Sequence, residues 1–223
     1  MSKKDFLEID GSFGEGGGSI LRLSAGFSIL FNKPIKIYNI RANRPKPGLR
    51  LQHLLGLKTL AELTNSTLSK TEIGSTELSF IPNSEIKRNI KVNISTAASI
   101  GLLLQPIQIA CLCLTSIDKI EIILEGGGTF GKWAPSLNYL KEVTYQLLKD
   151  SGFIIDIEIQ KQGFYPKGGA NVKCTIYPPK SKLNPINLTK LGNLGVINGE
   201  IIITNHLREN IGDRIQKSIT KYI

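Results

Sequence analysis

The strongest constraint on the fold is a supersecondary pattern that occurs twice along the chain. Apolar alternation typical of strands and apolar spacing typical of helices follow one another in the order βαβαββ, first over residues 1–84 and again over residues 85–184. The two copies share little residue identity. Such a repeat predicts an α+β fold in which each copy forms a small sheet with two helices packed on one face.

The boundaries of the elements follow from the ends of the apolar patterns and from the turn residues between them. In the first copy we predict strands over 5–9, 35–40, 67–73 and 77–81, a helix over 20–31, and a helix opened by Pro47-Gly48 that runs through Ala61. In the second copy we predict strands over 89–94, 119–124, 153–159 and 172–177, a helix over 97–114, and a helix with Pro135 in its first turn that turns Leu140, Val143, Leu147 and Leu148 inward.

The sequence changes character after PPKS at residues 178–181. Residues 185–223 predict only a strand over 199–203 and a helix over 211–222. These elements are too few to build a core of their own. We therefore divide the chain into a core at 1–184 and the beginning of a smaller, incomplete domain at 185–223.

Charge indicates the kind of partner. The formal net charge is +10 and the pI is near 9.5. A basic field attracts nucleic acid at long range.

The apolar run at 97–114 is interrupted by Gln105, Pro106 and Gln108, which favours a buried helix over a membrane span.

Cysteine usage and the N-terminus favour a cytoplasmic protein. Cys111, Cys113 and Cys174 lack metal-ligand spacing and are odd in number, so we expect reduced, buried thiols. The first residues carry no apolar signal core.

The first candidate for function is the glycine-rich turn between the first strand and the first helix. Five glycines lie within residues 11–18. No Lys-Ser or Lys-Thr pair follows them as a P-loop requires, and the sixth position of the dinucleotide pattern is Ser19. The segment is either a plain tight turn or a phosphate loop of another kind. Glu15, a carboxylate suited to a hard cation, and Arg22, suited to a phosphate, favour the second interpretation.

The second candidate is the basic loop at residues 41–53, which carries Arg41, Arg44, Lys46 and Arg50 ahead of a helix N-terminus. Backbone amides and the helix dipole already favour an anion there. The loop is either a solvated basic turn or a phosphate pocket. Its two prolines stiffen it and hold the cations in place, which favours the pocket.

Several single residues leave two interpretations open. Gln105 is either satisfied within the core or reads a ligand, and His53 either touches a phosphate or caps the core. The glycine-rich segment at 163–169 is interpreted as a hairpin connection with a bulge. Trp133 and Tyr165 either stack on nucleobases or serve packing. His206 has no acidic or serine partner at a suggestive spacing.

With these segments in view, the chain resembles the RNA 3′-terminal phosphate cyclase family over almost its whole length. The resemblance rests on GEGGG at 14–18 with Leu21-Arg22, on IRANRPKPGL at 40–49 with Gln52-His53, and on GFYPKGG at 163–169. It implies a domain of βαβαββ repeats, like those of the C-terminal domain of translation initiation factor 3 and of enolpyruvyl transferases, with a smaller domain inserted from about residue 185.

The resemblance also implies an activity and its participants. ATP adenylates the enzyme on a histidine, AMP passes to the RNA 3′-phosphate, and the neighbouring 2′-hydroxyl attacks to form a 2′,3′-cyclic phosphate. Carried over by position, Glu15 would bind the divalent metal, Mg²⁺ or Mn²⁺. Glu15, Gln105 and Pro135 would contact ATP, whereas the RNA 3′-phosphate end would be held by Arg22, Arg41, Arg44 and Gln52.

Two departures from the family pattern qualify these expectations. Residues 127–130 read GGTF and residues 134–136 read APS where members of the family often read GGTD and APP, which weakens the expectation of nucleotide contacts there. The family's adenylated histidine lies in a third repeat, and neither His53 nor His206 matches it. We therefore expect that histidine beyond Ile223, in a longer cyclase of which this chain is a part.

Two other functions remain to be weighed. A non-catalytic relative that binds RNA during ribosome assembly would use the same fold and basic surface, but it would not need the set of Glu15, arginines and Gln52. Enolpyruvyl transfer is supported by the fold alone. The sequence does not indicate an oligomeric state.

Overall fold

The first repeat forms a four-stranded sheet with two helices. The structure, a computed structural model, describes residues 5–83, 85–131, 133–193, 195–208 and 210–221. The elements of the first repeat are β1 (Leu7–Asp10), α1 (Gly18–Leu30), β2 (Ile35–Tyr38), α2 (Leu51–Leu63), β3 (Thr67–Leu68) and β4 (Leu78–Ile81). The strand order is β1-β2-β4-β3, with β1 and β2 parallel and the other pairs antiparallel.

The second repeat has the same topology. Its elements are β5 (Asn89–Ser99), α3 (Ile100–Cys111), β6 (Ile120–Gly128), α4 (Leu137–Tyr139), a π-helical segment (Leu140–Thr144), α5 (Tyr145–Asp150), β7 (Ile154–Lys161) and β8 (Asn171–Tyr177). The strand order β5-β6-β8-β7 matches that of the first sheet position by position. The predicted α+β fold of repeated units is therefore confirmed.

Alternating side chains give each sheet one apolar and one polar face. Ile35 and Ile37 on β2, like Ile120 and Ile122 on β6, are fully or almost fully buried, whereas the residues between them are partly exposed. Since successive residues of a strand point to opposite faces, the helices need to cover only one face of each sheet.

The two repeats are joined through helices α1 and α3. Arg22 contacts Gln105, a Cβ on Gly26 would lie 2.8 Å from the Pro106 carbonyl oxygen, and the Cys113 thiol donates to the Ile29 carbonyl at 3.8 Å. Along this contact the residue numbers increase in the same direction, from 22 to 29 on the α1 side and from 105 to 113 on the α3 side. The two helices therefore run parallel, and their N-termini lie at the same end. The buried side chains of both repeats form one continuous core.

Residues 187–223 form a separate compact unit from residues 1–186. The unit contains helix α6 (Ile211–Ile219), and Tyr222, the predicted end of this helix, lies outside the described residues. The strand predicted over 199–203 is wrong, because these residues have no regular structure. A lone strand needs a partner, and the described part of residues 187–221 offers none. That residues 185–223 begin an inserted domain stays a prediction.

Three element boundaries differ from the predicted ones, because local hydrogen bonds begin or end the element at another residue. The helix predicted over 97–114 begins at Ile100, because Ser99 caps it by accepting a hydrogen bond from the Leu102 amide at 3.3 Å. Pro135 is not in the first turn of α4, since Ser136 is its N-cap. The strand predicted over 67–73 ends at Leu68, and a turn follows in which the Glu72 amide donates to the Ser75 hydroxyl.

A π-helical turn changes which side chains of the last helix of the repeat face the core. Hydrogen bonds in such a turn join residues five apart, so the inward position after Leu140 is Tyr145 rather than Val143. Tyr145 is 2% exposed and Val143 is 40% exposed. The prediction that Val143 turns inward is therefore wrong, whereas Leu140 and Leu148 do pack against the core.

The cysteines agree with the sequence prediction in two cases of three. All three are free thiols, and Cys111 and Cys174 are buried. Burial raises the pKa of both thiols. Cys113 is exposed because α3 ends at Cys111, before it. Within the described ranges, no helix is both long enough and apolar enough to cross a membrane.

Replacing Tyr145 with Phe tests whether the π-helical turn places the Tyr145 side chain in the core. The Gln108 amide donates to the Tyr145 hydroxyl at 2.6 Å, and the substitution leaves that donor unpaired in a half-buried position. We expect the free energy of unfolding, measured by urea denaturation, to fall by about 1 kcal/mol. Tyr139→Phe is the matched control, because Tyr139 is 53% exposed. Equal effects of the two substitutions would contradict the assignment.

Candidate functional site

The glycine-rich turn at residues 11–17 joins β1 to α1 and leaves the first amides of that helix uncapped by a side chain. Gly16 has φ +57°, in the left-handed region. A Cβ on Gly18 would lie 2.2 Å from the His53 Nε2 atom. The glycine at position 18 therefore lets the imidazole of His53 approach the start of α1 closely.

The basic loop between β2 and α2 lies against this turn. Asp10, at the end of β1, accepts hydrogen bonds from the Ser12 amide at 2.9 Å, the Ser12 hydroxyl at 2.7 Å and the Asn39 side chain at 3.3 Å. These bonds, led by the Ser12 hydroxyl, lower the pKa of Asp10. The Asn43 amide donates to the Ser12 carbonyl at 3.0 Å. The two loops thus hold one another in position.

Sequence reasoning assigned no role to Asp10, Asn39 or Asn43. The signal was present, because an Asp two residues before a Ser commonly forms a turn through its own side chain. The loop also contains backbone strain: Arg41 has φ +57°, which is uncommon for a residue other than glycine. Strained residues of this kind cluster at binding and active sites.

Glu15 and Arg44 form an ion pair between the two loops. The Arg44 Nη2 atom lies 2.9 Å from the Glu15 Oε2 atom. The Glu15 side chain is 89% exposed, and an exposed pair of this kind adds little stability. The ion pair holds the Arg44 guanidinium beside Gly17 of the glycine-rich turn.

Arg22 brings a buried cation to the same place from helix α1. The residue is 8% exposed, and burial lowers its pKa. Its Nε atom donates to the Gln105 side-chain oxygen at 2.9 Å. This partner is neutral, and no salt bridge to Arg22 occurs among the described residues. A buried cation without a carboxylate favours an external anion.

His53 is buried among cations at the first turn of α2. Its Nδ1 atom accepts a hydrogen bond from the Arg50 amide at 3.2 Å, so the neutral ring carries its proton on Nε2. Burial, and then the charges of Arg41, Arg22 and Arg50, lower the pKa of His53 to about 4. The ring is therefore neutral at pH 7 and presents an N–H group toward the start of α1.

These contacts define an arginine cluster made of Arg22, Arg41 and Arg44, with His53 beside Arg22 and Arg41. Burial lowers the pKa of Arg41, and the like charges of Arg44 and Arg50 lower it further. The Nε atoms of Arg41 and Arg44 are buried without a hydrogen-bond partner in the described structure. Cations that repel one another and retain unpaired donors match an oxyanion that accepts several hydrogen bonds at once.

The structure brings together five of the seven residues singled out as site candidates: Glu15, Arg22, Arg41, Arg44 and Gln105. Gln52 lies on the first turn of α2, half-buried, and its side chain makes no hydrogen bond among the described residues. Pro135 is exposed in the second repeat, and no described contact joins it to the arginine cluster.

The site offers few metal ligands of its own. Among the described residues, no group of three His, Cys, Asp or Glu side chains is placed to hold a metal ion. In the described part of the chain, Glu15 is the carboxylate that forms an ion pair with the arginine cluster. A hard cation there would need its other ligands from phosphate oxygens and water, as Mg²⁺ commonly takes them.

The fold and the site define an α+β repeat protein with a cluster of arginines at the start of its first helix. A sequence model of the family described as RNA 3′-terminal phosphate cyclase matches residues 13–219. The chain belongs to this family, which confirms the resemblance drawn from the sequence.

Several archaeal relatives named RNA 3′-terminal phosphate cyclase agree with this assignment. The relative from Thermococcus kodakarensis is 45% identical over 178 residues, which cover 80% of this chain and 50% of the relative. The relative from Methanopyrus kandleri is 39% identical over 217 residues, covering 97% of this chain and 60% of the relative. For Staphylothermus marinus the identity is 42%, over 87% of this chain and 54% of the relative. The chain thus spans 50–60% of the length of these relatives.

The buried neutral His53 predicts a pH-dependent stability. Its pKa of about 4 lies below the usual 6.5, so its contribution is complete above pH 6.5 and is lost as the pH falls toward 4. We expect the free energy of unfolding to be about 2 kcal/mol lower at pH 5 than at pH 7 through this residue.

Urea denaturation of the wild type and of His53→Asn at both pH values measures this contribution. Asn keeps an acceptor for the Arg50 amide but does not titrate. The variant should therefore lose less stability than the wild type between pH 7 and pH 5. An identical pH dependence in both proteins would show that His53 titrates normally.

Proposed function

We propose that the protein is an ATP-dependent RNA 3′-terminal phosphate cyclase and that its arginine cluster binds the terminal phosphate of the RNA. The observation that carries the proposal is that, among the described residues, two buried arginine Nε donors have no hydrogen-bond partner and lie beside the buried Arg22. A terminal phosphate carries more charge and more free oxygens than a phosphodiester, so it satisfies such a cluster better. Gln52, beside His53 on α2, is proposed as a further ligand of this phosphate.

The proposed reaction has three group transfers. A histidine attacks the α-phosphorus of ATP and releases pyrophosphate; the RNA 3′-phosphate then displaces the histidine and takes the AMP. Finally the neighbouring 2′-hydroxyl attacks the RNA phosphorus, its proton leaves, and AMP departs from the new 2′,3′-cyclic phosphate. The role of the arginine cluster is to orient the terminal phosphate and to stabilise the negative charge that develops on its oxygens.

ATP and a divalent cation are proposed at the edge of the same cluster. Glu15 is the carboxylate that would hold Mg²⁺ or Mn²⁺, and a bound ion would neutralise phosphate charge. Gln105 accepts from Arg22 through its oxygen, which leaves its amide group for the nucleotide. Pro135 is retained as an ATP contact from the family pattern alone.

The adenylated histidine is proposed to lie outside residues 1–223, in a longer protein in which residues 185–223 begin an inserted domain. His53 is a poor candidate for it, since the ring is buried and its Nδ1 atom already accepts the Arg50 amide. The free thiols agree with a reducing, cytoplasmic setting for this RNA processing.

Arg44→Ala tests the phosphate site. We expect binding of a 3′-phosphorylated oligoribonucleotide to weaken at least about tenfold, because a charge-assisted hydrogen bond is lost. Binding of the same oligonucleotide with a 3′-hydroxyl should change by less than about twofold. Fluorescence anisotropy gives both affinities. Arg88→Ala, at an exposed arginine before β5, is the matched control, and equal losses for both oligonucleotides with Arg44→Ala would indicate a nonspecific backbone contact.

Incubation with ATP labelled at the α-phosphorus and Mg²⁺ tests the proposed covalent step. We expect an acid-labile protein–AMP adduct on a polypeptide of the relatives' length and none on residues 1–223 alone. Denaturing gel electrophoresis followed by autoradiography detects it. A longer protein that binds 3′-phosphorylated RNA but forms no adduct would favour the non-catalytic RNA-binding alternative.

A further inference from the structure

The second repeat has a pair of loops, one of which is the counterpart of the basic loop of the first repeat. One loop, residues 129–136, follows β6, as the basic loop follows β2. The other, residues 162–170, connects β7 and β8, whose pairing shifts register between Ile159 and Lys161 as expected for a hairpin with a bulge. The Thr129 amide donates to the Gly163 carbonyl at 2.9 Å, and the Gly163 amide donates to the Thr129 hydroxyl at 3.1 Å. The two loops therefore form one surface.

This surface carries aromatic rings rather than arginines. The rings of Phe130 and Phe164, one from each loop, stack with centroids 5.2 Å apart and planes 4° from parallel. Tyr165 is 84% exposed and Trp133 is 87% exposed. We name these four side chains the aromatic patch. Phe130 stands where the cyclase pattern often has Asp, so the stacked pair is a feature of this chain.

The charges around the aromatic patch suit a polyanion. The described residues within 126–137 and 160–170 include Lys161 and Lys167 and no Asp or Glu. Exposed aromatic rings among lysines are the common composition of surfaces that bind single-stranded nucleic acid, where bases stack on the rings and cations meet the phosphates. An apolar protein partner would not require this one-sided charge.

The aromatic patch lies at the same end of the core as the arginine cluster. A Cβ on Gly168 would lie 2.7 Å from the Thr96 carbonyl oxygen, and one on Gly131 would lie 3.9 Å from the Ser99 Cβ atom. The loops thus surround the N-terminus of α3. Helix α1, whose N-terminus meets the arginine cluster, runs parallel to α3, and packed helices lie about 8–10 Å apart.

We propose that the aromatic patch stacks nucleobases of the RNA strand just 5′ of the terminal phosphate. The inference rests on the proposed function, in which the arginine cluster holds the 3′ end, and it adds a second anchor a short distance along the strand. The arginine cluster would select the phosphorylated end. The patch would supply affinity for single-stranded RNA with little sequence preference, because every base has a face that can stack.

Tyr165→Ala and Phe164→Leu test the proposal. Both are compared with the wild-type chain for binding of a 3′-phosphorylated ten-nucleotide RNA, of the same RNA with abasic sites in place of the bases preceding the last one, and of ATP with Mg²⁺. Phe31→Ala is the matched control, because Phe31 is 65% exposed and follows the C-terminal end of α1. Thermal unfolding of each variant identifies any loss of folding.

We expect Tyr165→Ala and Phe164→Leu to weaken binding of the intact RNA about tenfold and to leave binding of the abasic RNA and of ATP unchanged. If folded Tyr165→Ala binds the intact RNA as tightly as the wild type, the role proposed for the aromatic patch is wrong. In that case, weaker binding of 3′-phosphorylated RNA by Arg44→Ala would still support the proposed function. A loss confined to ATP would overturn the patch as an RNA site. Failure of the wild type to prefer 3′-phosphorylated RNA would overturn the proposed function itself.

Discussion

The structure depends on positive charge at Arg22 and Arg41, which no described carboxylate neutralises through an ion pair. Arg22 is buried against the neutral amide of Gln105, and Arg41 lies beside Arg44 and Arg50 near the neutral ring of His53. Such an arrangement costs stability in the free protein. It persists because β1, β2 and their loops are tied together by the carboxylate of Asp10 and the amides of Asn39 and Asn43. The unfavourable charges are thus held in place by hydrogen bonds between the loops, which is consistent with the proposed site for an external anion.

The two repeats use one topology for different chemistry. Each sheet has the same strand order, and each places its loops at the N-terminal end of a central helix. The loop after β2 carries Arg41 and Arg44, whereas its counterpart after β6 carries Phe130 and Trp133 and is hydrogen-bonded to the β7–β8 loop. Because α1 and α3 run parallel, both sets of loops lie at one end of the core. A repeated fold thereby presents two different surfaces side by side.

Much of the fold followed from the sequence. Alternation of isoleucines and leucines with polar residues gave the strands, and the order of the elements gave the repeat. The errors occurred where a local hydrogen bond decides an outcome that periodicity does not encode. A π-helical turn places Tyr145 rather than Val143 in the core. Serine side chains cap helices α3 and α4, so both helices begin later than predicted. The strand predicted at 199–203 has no regular structure.

Part of the composition of the candidate site was predictable from the sequence, whereas its geometry was not. Charge, glycines and prolines identified Glu15, Arg22, Arg41 and Arg44. Nothing in the sequence indicated that Arg22 would contact Gln105 across 83 residues, that Arg41 would adopt a positive φ, or that His53 would be buried against Gly18. These features arise from tertiary packing, which brings together side chains that no local pattern connects.

The continuous core shared by the two repeats determines how the molecule comes apart. Since α1 packs directly on α3, cutting the chain between the repeats would expose an apolar helix face in each half, and neither half would be expected to persist as an autonomous module. Melting should accordingly be a single cooperative event for residues 5–186. Because Gln105 comes from the second half, a change deep in that half would also release the guanidinium of Arg22, so that stability and ligand affinity would decline together.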